Sequence, residues 1–141
     1  MTDSLSRKRR SWNMSRIRAT NTRPEKILRS QLHRLGFRFS LHNRSLLGCP
    51  DIVLRKYRTV IFVHGCFWHR HPRCKFAYEP KSNRAFWFDK FDSNVQRDKK
   101  VRQALRRLGW RVVVVWECQI LKDPAESAAR TGQNIQKAKD Q

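Results

Sequence analysis

Residues 60–74 constrain the fold of this 141-residue chain more than any other stretch. They read VIFVHGCFWHRHPRC, which begins as a run too apolar for a solvent-facing strand and breaks at Gly65 into a turn. The turn region holds three of the five histidines and two of the four cysteines, with two large aromatic residues between them. Groups that bind metal, carry protons and stack therefore follow one buried strand. An α/β protein typically places its chemistry at such a position.

The charge balance of the chain indicates a polyanionic partner. Lys and Arg number 32 against 11 Asp and Glu, for a formal net charge of +21 spread along the sequence. Nucleic acid is the simplest such partner. A basic protein of ribosomal type has a similar composition, so the charge alone does not distinguish a binding protein from an enzyme. The sequence has no run of 18 apolar residues, and residues 1–4 lack the apolar core of a signal peptide. We therefore expect one cytoplasmic domain with reduced thiols and no contact with membranes.

The predicted order of elements is helix, three strands, helix, strand, helix. Thr22, Pro24 and Glu25 form a capping box, and the helix that follows ends at Gly36. The other predicted elements are strands at residues 37–41, 50–54, 59–63 and 110–116 and a long helix at residues 83–108. The apolar face of that helix is formed by Phe88, Phe91, Val95, Val101, Leu105 and Leu108, whereas Asn94 and Asp98 belong to its polar side.

This order predicts an α/β fold with a mixed central sheet flanked by helices. The run WRVVVVW at residues 110–116 is the most β-prone and is expected to form a central strand. The predicted organisation has a basic DNA-binding arm at residues 1–20, a folded domain at residues 21–122 and a tail at residues 123–141. That tail is expected to be weakly helical and interrupted by Gly132.

Three residues after the buried strand have the spacing of metal ligands, C-x4-H-x2-C, at Cys66, His71 and Cys74. Structural zinc takes four nitrogen or sulfur ligands, often two or three from one turn and the rest from a distant element. Cys118, at the end of the last predicted strand, is the candidate fourth ligand, with Cys49 as a competitor. The alternative is that these cysteines only pack, but the spacing favours a structural zinc ion.

Asp51, His64 and His69 are candidates for a hydrolytic site. A magnesium ion needs one or two hard oxygen ligands, and imidazole can take or give a proton near neutral pH. Glu25 and Asp98 would add carboxylates, although a helix cap and a solvated helix face explain them equally well. The two histidines have an alternative too, as satisfied polar residues of a zinc loop.

Aromatic residues accompany the basic segments. Phe67, Trp68 and Trp87 stand outside a periodic pattern, which suggests stacking on bases, with packing under the zinc loop as the alternative. For Phe86 we expect packing. In the basic arm, aromatic and apolar side chains alternate with charges, as in a segment that lies along DNA or in a basic leader without fixed structure; the residues expected to contact DNA are Trp12, Met14, Arg16 and Arg18.

The sequence resembles the very short patch repair (Vsr) endonucleases over residues 11–118. The resemblance rests on six blocks in one order: WNMSRIRATNTRPE, PDIV, VIFVHGCFWHRH, FW, NVQRD and LGWRVVVVWEC. It implies a fold similar to that of restriction endonucleases of the PD-(D/E)XK type, with Phe62 and His64 in place of the acidic-x-lysine pair. Two residues, Pro72 and Arg73, separate the ligand histidine from Cys74, where the family motif has one, so the choice of histidine ligand stays open.

The resemblance implies a magnesium-dependent nick in one strand, 5′ to the thymine of a T·G mismatch left by deamination of 5-methylcytosine. It implies that Asp51 and the backbone carbonyl of Val63 bind Mg²⁺, that His69 activates water, and that His64 assists at the phosphate. Glu25 and Asp98 would hold waters on the metal. The remaining implied roles are a wedge at the mismatch (Phe67, Trp68, Trp87) and a structural Zn²⁺ site (Cys66, His71, Cys74, Cys118).

The expected protein is thus a monomeric prokaryotic endonuclease at the nucleoid, with double-stranded DNA and repair-machinery proteins as partners. Two alternatives remain on the sequence alone. One is a related nicking endonuclease with another mismatch or site specificity. The other is a non-catalytic, zinc-stabilised DNA-binding protein in which Asp51 and the histidines are structural.

Overall fold

The computed structural model of the protein describes residues 21–139, so the predicted basic arm, with Trp12, Met14, Arg16 and Arg18, lies outside the described residues. The predicted order of elements is confirmed, with one short helix added after the last strand. The elements are α1 (Arg23–Arg34), β1 (Ser40–Leu41), β2 (Ile52–Leu54), a 3-10 turn (Arg55–Tyr57), β3 (Thr59–His64), α2 (Arg84–Arg107), β4 (Arg111–Trp116), α3 (Glu117–Lys122) and α4 (Pro124–Lys139).

The four strands form one mixed sheet in the order β1-β2-β3-β4. β2 is antiparallel to both β1 and β3, and β4 runs parallel to β3. The prediction of a mixed sheet is therefore confirmed, but the prediction that β4 is central is wrong. Within residues 21–139, β4 is an edge strand. An apolar run of β-branched residues shows that both faces of a strand are covered, and it does not fix the position of the strand in the sheet.

Helices cover both faces of the sheet because side chains alternate along the strands. On one face, Ile52, Leu54 and Ile61 pack with Leu28 and Leu32 of α1 and with residues of α3 and α4. On the other face, the alternate strand residues pack against Leu105 of α2 and against Trp110; they are Val53, Val60 and Phe62. This three-layer arrangement holds the carboxyl end of β3 between α1 and α2.

The capping box of α1 is formed in a modified way. Thr22 Oγ1 accepts a hydrogen bond from the Glu25 backbone N–H at 3.4 Å, as predicted. The Glu25 carboxylate accepts from the backbone N–H of Asn21 at 3.2 Å, one residue before the expected partner. Glu25 is only 1% exposed, so the cap carries a carboxylate into the interior.

The predicted faces of α2 need correction. Phe91 and Leu105 are buried, but Phe88 is 72% exposed and Val95 and Leu108 also face solvent. Conversely, Asn94 is 6% exposed although it was assigned to the polar side. The buried stripe follows the spacing of Phe91, Asn94 and Leu105, which a count of apolar residues alone misses.

The packing predicted for Phe86 is also wrong, because its side chain is 52% exposed.

The tail is a continuous 16-residue helix rather than a weak helix interrupted at Gly132. Ala128 and Ile135 of α4 are fully buried in the core that α1 shares. Gly132 lies inside the helix, where an added Cβ would stand 3.1 Å from Phe37 Cε2. Here glycine permits close packing and does not end the helix. No helix among residues 21–139 combines the length and apolarity needed to cross a membrane.

Candidate active site and metal-binding loop

Glu25, His42 and Asp51 form the first polar group of the site. One potential ligand atom from each of them lies within 4.8 Å of the others. The Asp51 carboxylate, just before β2, accepts a hydrogen bond of 2.7 Å from the backbone N–H of Val63 in β3. The hairpin register places this contact, because β2 and β3 are paired from Leu54 and Thr59 onward. Antiparallel pairing thus brings Asp51 to the carboxyl end of β3.

Burial controls the ionisation of Asp51. The pKa of its carboxyl is raised to about 7, mainly by loss of solvation, and the hydrogen bond from Val63 opposes this effect while the neighbouring Glu25 carboxylate adds to it. Two carboxyl groups that approach each other away from water favour a shared positive charge, either a proton or a cation. The donor set is thus suited to a divalent cation with oxygen ligands.

His64, His69 and Asp98 form the second polar group. The imidazole rings of His64 and His69 are stacked, with centroids 3.9 Å apart and an angle of 7° between planes. His69 Nδ1 lies 2.6 Å from Asp98 Oδ2. When the carboxylate accepts from Nδ1–H, the tautomer of His69 is fixed and Nε2 is the nitrogen able to take a proton.

Burial and neighbouring charges set the ionisation of His64 and Asp98 in this second group. Burial, together with the adjacent His69, lowers the pKa of His64 to about 3, so His64 is neutral at physiological pH. Burial alone would raise the pKa of Asp98, but the hydrogen bond from His69 and the nearby positive charges outweigh it and hold this pKa below its usual range. Asp98 is therefore a carboxylate, and its hydrogen bond is with His69.

The end of β3 joins the two groups. Val63 contacts Asp51 through its backbone, and the next residue, His64, stacks on His69. Val63 uses its backbone N–H and His64 its side chain, so neighbouring positions of one strand serve two different polar groups. All five predicted catalytic residues therefore lie around the carboxyl end of β3, with Glu25 and Asp98 in separate groups.

Cys66, His71, Cys74 and Cys118 form a third group, and Cys49 is outside it. His71 Nδ1 lies 3.6 Å from Cys66 Sγ and 3.4 Å from Cys118 Sγ. A zinc ion with tetrahedral bonds of about 2.3 Å to sulfur and about 2.0 Å to nitrogen would separate such atoms by about 3.5 Å. The four side chains therefore fit zinc, and His71 is the histidine that lies among the three cysteines.

The surroundings of this group support the same fit. Burial raises the pKa of the Cys66 thiol to about 12, so a bound cation would be needed to keep it as a thiolate. The ring of Trp116 stacks on His71 at 4.2 Å between centroids. Glu117, the first residue of α3, accepts a hydrogen bond of 2.9 Å from the Cys66 backbone N–H. β4 and α3 thus anchor the start of the loop before any metal binds.

The aromatic residues of the loop form a cluster with α2. Phe67 lies within 5.1 Å of Trp68 and Phe91 and within 5.7 Å of Trp87, measured between ring centroids. All three predicted wedge residues, Phe67, Trp68 and Trp87, are partly exposed. Both interpretations of these residues, packing under the loop and stacking on bases, are compatible with this cluster. One side of it packs on Phe91, and the other side is exposed.

Two polar residues that the sequence did not single out hold this cluster. The Asn94 side-chain amide donates to the Trp68 carbonyl at 3.2 Å. The Arg70 guanidinium lies over the ring of Phe91 at 4.0 Å and donates to the carbonyls of Ala77 and Tyr78. The position of Asn94 four residues before Asp98 is the one signal that could have placed it on the site face of α2.

Comparison with known proteins gives a consistent result. Residues 2–75 match the family described as DNA mismatch endonuclease Vsr. The chain is 43% identical over 120 residues to the DNA mismatch endonuclease Vsr of Escherichia coli K12, covering 85% of this chain and 76% of that protein.

Two relatives are named as nicking enzymes. The type II nicking enzyme V.XorIIP of Xanthomonas oryzae pathovar oryzae is 50% identical over 120 residues, which cover 85% of this chain and 88% of that enzyme. The type II nicking enzyme V.NmeAIP of Neisseria meningitidis serogroup A is 41% identical over 140 residues, which cover 99% of both chains. The similarity therefore extends over nearly the whole sequence.

Proposed function

Because the chain belongs to the Vsr family of DNA mismatch endonucleases, we propose that it nicks one strand 5′ to the thymine of a T·G mismatch. Membership of this family identifies the protein as an endonuclease with DNA as its substrate. The alternative of a non-catalytic, zinc-stabilised DNA-binding protein is therefore excluded. We propose further that these mismatches arise by deamination of 5-methylcytosine. The protein would act on them as a monomer at the bacterial nucleoid. The fold we assign is that of restriction endonucleases of the PD-(D/E)XK type.

One observation carries the proposal. The Asp51 carboxylate is hydrogen-bonded to Val63 at the end of β3, and the hydrogen-bonded pair of His69 and Asp98 lies beside the same strand end. Asp51 and the backbone carbonyl of Val63 would hold Mg²⁺, with Glu25 beside them to orient water. A magnesium ion at this position would supply positive charge to the scissile phosphate and to the oxygen that leaves. Its donor set of hard oxygens is the one that Mg²⁺ prefers.

The second polar group would move the protons of the reaction. His69, held by Asp98 at Nδ1, has Nε2 free to take a proton from the attacking water. His64, kept neutral by burial, would donate or accept a hydrogen bond at the phosphate without adding charge. The candidate ligands of a structural zinc are Cys66, His71 and Cys74 of the same loop and Cys118 of α3, and a zinc ion held by them would fix the position of these histidines.

The aromatic cluster would select the mismatch. Wedging rings between base pairs costs least where the pair is weak, so a mismatched step is favoured over a matched one. Phe67, Trp68 and Trp87 are close enough to act as one surface, and Asn94 holds the backbone of Trp68. The basic arm at residues 1–20 would bind the backbone and groove of the same duplex.

A panel of duplexes tests this specificity. The wild-type protein should nick T·G duplexes faster than matched duplexes and those with other mismatches, and Trp68→Ala should lose much of this preference. Phe88→Ala is the matched control, because Phe88 is a 72% exposed aromatic residue that should not contribute to the wedge. Equal nicking of T·G and matched DNA by the wild type would contradict the mismatch proposal and favour a relative with another site specificity.

Replacing the proposed base gives a second expected result. His69→Gln should lower the nicking rate at saturating Mg²⁺ by roughly 100- to 10,000-fold, the usual contribution of a positioned general base. Asp98→Asn should lower the rate by a smaller factor, because the imidazole remains but its orientation and charge partner change. The measurement is single-turnover nicking of a T·G duplex, with DNA affinity as the control. A His69→Gln rate within tenfold of the wild type would remove His69 from this role.

A further inference from the structure

His42 occupies an unexpected place beside the two carboxylates. It lies in a loop outside every block of the sequence that resembles the Vsr endonucleases, and its backbone has a left-handed φ of 47°. Its side chain is half-buried, with Nε2 2.8 Å from Glu25 Oε2. Its backbone N–H donates to the Asp51 carbonyl at 3.1 Å. One residue thus contacts Asp51 through the main chain and Glu25 through the side chain.

The contact with Glu25 completes a set of donors around a buried carboxylate. Glu25 Oε2 also accepts from Arg29 Nη1 at 2.7 Å, and Glu25 Oε1 accepts from the Asn21 backbone N–H at 3.2 Å. Arg29 lies in α1 and Asn21 directly precedes its N-cap residue, so neither hydrogen bond fixes the helix relative to β2. The hydrogen bond from His42 comes from the strand side, 17 residues away in sequence. Its two hydrogen bonds therefore link Glu25 to the segment that carries Asp51.

We propose that His42 is a positioning residue, whose Nε2–H holds Glu25 so that Glu25 and Asp51 together face one divalent cation. This inference rests on the proposed function, since it concerns the cation of the same site. With its proton on Nε2, His42 has no lone pair for a metal at the nitrogen that faces Glu25, so the proposed role is exerted through Glu25. Outer partners of this kind typically contribute a factor of 10 to 100 to metal affinity or activity.

The matched variants are His42→Ala and His42→Gln. Both place a residue without a branched Cβ in the same left-handed backbone, so backbone strain is the same in the two proteins. Glutamine carries an amide N–H at about the reach of the imidazole Nε2, whereas alanine carries no donor. His33→Ala is the control, because His33 is an exposed histidine in the last turn of α1.

The experiment is a calorimetric titration of the full chain with Mn²⁺ in the absence of DNA, with Asp51→Asn identifying the signal that belongs to this site. We expect His42→Ala to bind Mn²⁺ 10- to 100-fold more weakly than the wild type, and His42→Gln and His33→Ala to bind within a few-fold of it. The Mg²⁺ concentration for half-maximal nicking should rise in the same order.

The proposal is overturned if His42→Ala binds Mn²⁺ as the wild type does, or if His42→Gln binds no better than His42→Ala. It is also overturned if wild type and Asp51→Asn bind Mn²⁺ equally. The titration requires no nicking, so a wild type that leaves T·G duplexes intact contradicts the proposed function alone.

Discussion

Asp51→Asn is expected to abolish nicking and leave DNA binding intact. The change removes the charged oxygen that would hold Mg²⁺. A catalytic metal of this kind stabilises the transition state by several kcal/mol, so its loss should lower the nicking rate by at least about a thousandfold. Asparagine keeps the shape of the side chain, an acceptor for the Val63 N–H and a donor for Glu25. The measurement is single-turnover nicking of a T·G duplex, with binding of the same duplex measured without Mg²⁺.

The same substitution should also stabilise the metal-free protein at neutral and higher pH. Burial raises the pKa of Asp51 from 3.8 to about 7, so the folded state holds this proton more tightly than the unfolded chain. The wild type therefore loses stability as pH rises from about 4 through 7, and the variant, which has no proton to lose there, does not. The Tm difference between Asp51→Asn and the wild type should be larger at pH 8 than at pH 5.

Asp92→Asn is the control for both measurements, since Asp92 is an exposed carboxylate of α2. It should nick at the wild-type rate and show the same Tm difference at both pH values. If Asp51→Asn nicks a T·G duplex as fast as the wild type, the proposed active site is wrong. If its Tm difference is unchanged between pH 5 and pH 8, the carboxyl of Asp51 is ordinary and the argument for a buried cation site fails.

Loss of zinc is expected to have the largest effect on stability. Freshly purified protein should contain one zinc ion per chain, and Cys66→Ser or Cys118→Ser should lose it together with much of the thermal stability. Structural zinc contributes folding free energy directly, and a loss of only about 3 kcal/mol lowers Tm by roughly 10 °C in a domain of this size. The measurements are metal analysis and Tm with and without a chelator.

Cys49→Ser provides a matched comparison, because Cys49 lies outside the group of four ligands. It should keep its zinc and a Tm close to that of the wild type. A wild type purified without zinc, or a Cys66→Ser protein with unchanged Tm, would show that these cysteines only pack.

The sequence by itself determined the features that depend on neighbours along the chain. The cap at Thr22, the hairpin from Asp51 to β3 and the C-x4-H-x2-C spacing each involve residues within one turn, one helix start or one pair of consecutive strands. Local hydrogen bonding and side-chain periodicity fix such features, so reading the sequence was enough to predict them. The sequence was also enough to predict which side chains are able to bind a metal ion, since this ability follows from residue type.

Tertiary structure alone decided which of these groups meet. His42 contacts Glu25 from 17 residues away, His69 contacts Asp98 from 29 residues away, and Cys66 contacts Glu117 from 51 residues away. It also decided that β4 lies at an edge of the described sheet and that Asn94 is buried. These outcomes depend on how helices and strands pack across the sheet, and a single sequence carries no local signal for contacts of that range.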